Sequence, residues 1–261
     1  MTAGQAPRPA ADDALVRAWG QQQAELCARR EEADRVDFEC QPSGGSFAGL
    51  ERVAGVDISY PRGGGAQDRA AVALVVMAYP SMRVLHEICL DVAIMVPYQA
   101  GFLAFREAAA YRQAFAALQR DRPELIPQVV LVDGNGTLHP RRFGSACHIG
   151  VELDMPTVGV AKNFLHIADM PGMDARAIKD AFRAGAAELA LVGGSGQSYG
   201  AAVAPAGGAA VNPVFVSPGH RVSLRTAVAL VRSCSLHRVP EPIRVADQLS
   251  RTRARAMEQA L

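Results

Sequence analysis

The 261-residue chain has few cysteines, five in all (Cys27, Cys40, Cys89, Cys147, Cys234), and no two of them stand in C-x-x-C spacing. That excludes a disulfide framework and a thiolate zinc site, and predicts free thiols in a reducing compartment. Cys147 and His148 are neighbours, but adjacent side chains diverge on a helix or strand, so core packing is expected of them rather than metal binding. Net charge is also missing: Lys+Arg 27 against Asp+Glu 26 leaves +1. Nothing global draws this chain to a polyanion, and any nucleic-acid site must be a local patch. The longest apolar run, AAVALVVMAY, is far short of the ~20 residues that span a membrane, and no segment resembles a signal peptide, so a cytoplasmic protein without membrane contact is expected. A nucleotide-binding loop is absent too. LVGGSGQSYG lacks G-x-x-x-x-G-K-[ST], and Tyr199 stands where the third glycine of G-x-G-x-x-G belongs.

What is present is a composition 49% hydrophobic, enough to bury the core of one domain. Residues 1–12 read as a disordered tail and 13–261 as a single catalytic domain. ALVRAWGQQQAELCARR places Leu15, Trp19, Leu26 and Cys27 at helical spacing. RVAGVDISY, RAAVALVVMAY and RVLHEICLDVAIMV then read as three antiparallel strands. Asp57 lies mid-strand, on one face with Val53, Gly55 and Ser59. It either points to solvent from an edge or needs a partner. GFLAFREAAAYRQAFAALQ is a helix whose stripe Leu103, Glu107, Ala110, Ala114 and Ala117 could bring Glu107 against the face bearing Asp57. On the other reading Phe102, Phe105 and Ala109 are buried and Glu107 is solvated.

The central stretch, VVLVDGNGTLHPRRFGSACHIGVELDMPTVGVAK, is an apolar strand ending at Asp133, a Gly134/Gly136 turn, a helix, and a short strand ending at Lys162. Open α/β sheets bind ligands at such strand ends. Met173 to Leu191 reads as helix, and the Gly/Ala-rich segment beyond Leu191 as strands around a flexible hairpin. SLRTAVALVRSC follows as a helix capped by Ser223, and a last helix carries Asp247, with Pro242 in its first turn. Asp57, Glu107, Asp133 and Asp247 together suit a divalent-metal site, since two carboxylates ~4 Å apart repel by ~4 kcal/mol at an effective dielectric of 20 unless a cation neutralises them. All-oxygen ligands select Mg²⁺ or Mn²⁺ over zinc. Lys162, Arg141 or Arg142, and His139 would hold a phosphate, with His139 as hydrogen-bond donor or proton carrier.

VAGVDISY, PYQAGFLAFRE, the central stretch, VSPGHRVSL and RVPEPIRVADQLSR, in this order, resemble the endonuclease V family. The resemblance implies an α/β, RNase H-like fold, a mixed five-stranded sheet flanked by helices. It implies Mg²⁺-dependent (Mn²⁺ substituting) cleavage at the second phosphodiester 3′ to inosine in DNA or RNA, as a monomer. Asp57, Asp133, Glu107 and Asp247 match the family's metal-binding acids, with Lys162 and His139 matching further catalytic positions. Pro97, Tyr98, Gln99 and Ala100 match its strand-separating wedge, with Gly134, Gly136 and Arg141 as further nucleic-acid contacts. Gln99 and Ala100 depart from the usual P-Y-I-P, and without the fixed φ of a second proline the wedge is expected to be less preorganised. A junction-cutting nuclease of the same fold and a non-catalytic nucleic-acid-binding module are the alternatives.

Overall fold

The structure is a computed structural model that describes residues 12–40, 47–62, 69–204 and 212–259. The three apolar runs form the predicted meander, in which β1 (Arg52–Ser59), β2 (Arg69–Ala78) and β3 (Arg83–Ala93) pair antiparallel. β4 (Val129–Asp133) runs parallel to β1, and β5 (Thr157–Ala161) parallel to β4. Parallel neighbours need crossovers, which α2 (Leu103–Asp121) and α3 (Ser145–Leu153) supply.

The predicted count of five strands is too low. β6 (Glu188–Val192), β7 (Ser198–Val203) and β8 (Val214–His220) extend the sheet to eight in the order β3-β2-β1-β4-β5-β8-β7-β6. β7 and β8 pair antiparallel as the strands expected around the Gly/Ala-rich hairpin, whereas β6, ELALV, falls where helix was expected and is decided by tertiary pairing. The helix expected over Met173–Leu191 is correspondingly shorter. α4 (Ala175–Arg183) is capped by Asp174 and ends before Gly185, whose φ of +98° terminates helices readily, leaving the rest for β6. LVGGSGQSYG is the β6–β7 turn, leads into a strand, and meets the carboxylate of Asp169 at Ser195, so it cradles no phosphate. The middle of the Gly/Ala-rich hairpin, residues 205–211, lies outside the described residues, as does the predicted tail at 1–11. Asp12, assigned to that tail, instead caps α1 (Asp13–Ala28) by accepting from the Leu15 N–H at 2.7 Å.

Helices cover both faces of the sheet. On one, Ala54, Val56, Val130 and Val132 pack against Tyr111, Ala114 and Leu118 of α2 and Ala146 and Ile149 of α3. On the other, Val53, Val129, Leu131 and Val158 pack against Leu230 of α5 (Leu224–Ser233) and Ile243 and Ala246 of α6 (Glu241–Gln259). α6 lies so close to β1 that a Cβ on Gly55 would come 2.1 Å from the Pro242 backbone. The glycine beside Asp57 is therefore the seat of the last helix. Cys147 and His148 are buried in α3, as predicted, and all five cysteines are free. No helix among the described residues is long and apolar enough to cross a membrane.

Candidate active site

β1 and β4 run parallel with Val56 opposite Val132, so Asp57 and Asp133, the next residue of each, stand side by side. α6 crosses above them and delivers Asp247. One carboxylate oxygen from each of Asp57, Asp133 and Asp247 lies within 4.8 Å of the others. Lys162, just past β5, donates from Nζ to Asp133 Oδ2 and to Asp247 Oδ1, both at 2.6 Å. An ammonium has three protons, so one remains for a third acceptor. Burial alone would lower the pKa of this amine, but the two carboxylates outweigh it and hold it above the ordinary lysine value.

Glu107 is buried, which decides between the two readings of α2: Ala109 is exposed and the alanine stripe faces inward. The route differs from the one expected, because α2 packs on the sheet face opposite the one covered by α6. Glu107 feels the charges of Asp57 and Asp133 at the strand ends, but it is not among the three acids whose oxygens lie within 4.8 Å of one another. Burial, with those charges adding, pushes its pKa up to about 8 against the pull of a hydrogen bond from Tyr60. Asp57 is raised to about 7, first by burial and then by Asp133.

Three residues that hold this site escaped the sequence reading. The Ser250 hydroxyl donates to Asp57 Oδ2, and Ser59 does so at 3.3 Å. Tyr60 donates to Glu107 Oε1 at 3.2 Å, with the Arg106 guanidinium 5.0 Å from its ring centre. The only signal for Ser250 was its place three residues after Asp247, one helical turn on.

Beside the acids, Gly134 and Asn135 lead into a cavity of about 410 Å³ walled by Tyr98, His139, Pro140, Phe143 and Ser145. The N-terminus of α3 opens onto it without a side-chain cap. Asn135 Oδ1, buried in its wall, has no hydrogen-bond partner among the described residues. Tyr98 is 65% exposed at the rim. Gly136 is buried against β8, its N–H donating to Ser217 Oγ at 2.8 Å.

The arginines expected to hold phosphate each have protein partners in this structure. Arg142 is ion-paired with Glu32 at 2.9 Å. Arg141 donates to Gln23 and to the Gly101 carbonyl, and stacks 4.1 Å from the Phe102 ring centre. His139 sits in the cavity wall, apart from the acid cluster. Burial, then the charge of Arg141, lowers its pKa to about 4, so it is neutral at pH 7 and carries no charge for a phosphate. Arg141 does bear on the wedge segment, Pro97 to Ala100, since it grips Gly101 just beyond it while Arg106 holds the Val96 carbonyl just before it at 2.5 Å.

The donor set fits a hard divalent cation: Asp57, Asp133 and Asp247 offer carboxylate oxygens, no histidine or cysteine joins them among the described residues, and Asp57 and Glu107 are held near protonation by burial and neighbouring acids.

The endonuclease V family pattern matches residues 35–248 of the chain. Endonuclease V of Mus musculus is 42% identical over 237 residues, covering 89% of this chain and 68% of that protein. The catalytic domain of human endonuclease V superposes with a TM-score of 0.86 at 37% identity, covering 96% of this chain and all of that one. Endonuclease V of Ciona intestinalis, solved with DNA containing an inosine followed by a ribo-adenosine, gives 0.84 at 32% identity, covering 95% of this chain and all of that one.

Proposed function

This chain belongs to the endonuclease V family, and from that premise we propose that it is a Mg²⁺- or Mn²⁺-dependent nuclease that cuts DNA or RNA at the second phosphodiester 3′ to inosine. The observation that carries the reading is the cluster of Asp57, Asp133 and Asp247 bridged by Lys162. Asp57, Asp133, Asp247 and Glu107 would hold the metal. When bound, the ion supplies Lewis acidity at the phosphodiester and lowers the pKa of a water.

The chain's own residues do the rest. Ser250 and Ser59 aim Asp57, and Tyr60 aims Glu107. Lys162, protonated between two acids, turns its remaining N–H to the phosphate or the departing oxygen and stabilises the charge that develops there. Tyr98 fills the gap left by an extruded base, a stacking contact worth about 1–3 kcal/mol. The cavity receives that base. Hypoxanthine presents an N1–H donor next to its O6 acceptor, which suits Asn135 Oδ1 beside the uncapped start of α3. His139 serves as neutral wall. Because Gly134 and Asn135 follow Asp133 and line the cavity, the bond at the acids is displaced from the base, which supports cleavage at a phosphodiester away from inosine; the 3′ direction comes from the family. A monomer is the proposed working unit, and five free thiols suit the cytoplasm.

The test is cleavage of inosine-bearing single-stranded DNA, duplex DNA and RNA side by side with Mg²⁺ or Mn²⁺. Strand scission beside inosine in at least one is expected, and no scission by folded protein would overturn the reading.

A further inference from the structure

A second hollow, of about 340 Å³, opens on the other side of the loop 162–165: Lys162, Asn163 and Phe164 line it, while Leu165 lines the cavity described above. We propose that this groove binds the phosphates of the nucleic-acid strand 3′ of the cleaved bond; the direction of the strand rests on the proposed function, the affinity for phosphate does not.

The charge is the first reason. Lys162, Lys179 and Arg238 line the groove, and no Asp or Glu does. The chain has only two lysines, and both are here. In a protein of net charge +1, that is the kind of local patch a polyanion requires.

The second reason is that two of these charges, Lys179 and Arg238, are uncancelled, while Lys162 is paired with Asp133 and Asp247. Many arginines of this protein face a carboxylate, as Arg244 does Glu241, Arg251 does Asp247 and Arg253 does Asp91. Arg238 donates instead to three neutral carbonyls, of Lys162 at 2.6 Å, Pro213 at 3.1 Å and Asn212 at 3.0 Å. Those bonds fix the guanidinium in place without neutralising it. Lys179 is exposed and makes no ion pair among the described residues, while the adjacent Asp180 is taken by Arg183 at 2.7 Å and Arg176 at 3.9 Å.

The third reason is continuity. Lys162 belongs to both the acid cluster and the groove, so a strand whose phosphodiester lies at Asp133 has its next phosphates within reach of Lys179 and Arg238. Asn163 and Asn212 add amide donors. Phe164, braced by Phe215 at 5.6 Å between ring centres, offers an apolar face to a sugar or base. Phosphate contacts of this kind fix register without reading sequence.

Lys179→Glu is the variant of choice, since the side chain is exposed and unpaired, and Arg176→Glu on the same helix, outside the groove, is its control. KM is compared on inosine-bearing single strands that end just past the cleaved bond and on strands about eight nucleotides longer. The wild-type protein is expected to favour the longer strands about tenfold, Lys179→Glu to lose that preference, and Arg176→Glu to keep it. No length preference in the wild type, an unchanged preference in Lys179→Glu, or equal loss in both variants overturns the proposal. If wild-type protein cuts no inosine strand, the proposed function fails, and the groove is judged by anisotropy on unmodified single-stranded DNA. There Lys179→Glu must weaken binding and lower the salt slope by about 1. Unchanged binding overturns it.

Discussion

Lys162 Nζ lies 2.6 Å from Asp133 Oδ2, a contact made because β4 and β5 are parallel neighbours that end at the same level. The same amine holds Asp247 from the last helix, so one lysine gathers acids from two distant parts of the chain. Its removal separates gathering from chemistry. Lys162→Met is expected to lower kcat by about a hundredfold or more, through loss of a charged donor at the reacting phosphate. Mn²⁺ binding, followed by calorimetry, should persist because all four acids remain. Loss of metal binding with intact folding would show that the lysine matters only for assembling the site.

Ser250 orients Asp57 and lowers its pKa. Ser250→Ala should leave Asp57 harder to ionise, moving the acidic limb of the kcat/KM profile to higher pH and reducing kcat by about tenfold. An unshifted limb would remove Ser250 from the site. The hydroxyl is fully buried, so a stability loss of about 1 kcal/mol is expected as well.

The raised carboxyls make metal-free stability depend on pH. Asp57 goes from 3.8 to about 7 and Glu107 from 4.5 to about 8 on folding. Folded values above unfolded ones mean that the stabilising contribution is complete below pH 3.8 and is lost as pH rises through 7 and 8. His139 has the opposite sign: lowered from 6.5 to about 4, it costs stability as pH falls across that interval. Added Mg²⁺ should therefore raise the Tm more at pH 8 than at pH 5, and its binding at pH 6 should release protons from the two carboxyls. An equal Tm rise at both pH values contradicts this.

Tyr98 stands exposed on a segment clamped at Val96 and Gly101. Tyr98→Ala should weaken cleavage of inosine in duplex DNA by about tenfold or more and affect single strands less, since only the duplex must be opened. Equal losses on both would remove its role in strand separation.

Much of this site was legible because its acids interrupt strong patterns. Asp57 sits in an apolar strand and Asp133 ends one, so each stands out by contrast, and the central stretch is long enough to carry the family resemblance. Lys162 was found the same way. Glu107 was visible only as the single charge on an alanine stripe, and choosing between buried and solvated needed the position of α2. Ser250 and Tyr60 were silent because a serine in a charged helix and a tyrosine after a strand have many ordinary uses. β7 and β8 were legible only as strands around a Gly/Ala-rich hairpin, and β6 was read as helix, because small side chains leave little periodicity to read. Arg142 was read as free for phosphate, but Glu32, distant in sequence, neutralises it, while Arg141 is held by the neutral groups of Gln23 and Gly101 and keeps its charge.

The most direct test is the mapped cleavage of a strand carrying one inosine, with Mg²⁺, by the wild-type protein and by Asp57→Asn and Asp133→Asn. The expected result is a single break at the second phosphodiester 3′ to inosine with wild type, none without metal, and a loss of at least about a thousandfold in either variant. Metal-independent cleavage, or wild-type rates in both variants, would contradict a metal-dependent nuclease built on these acids.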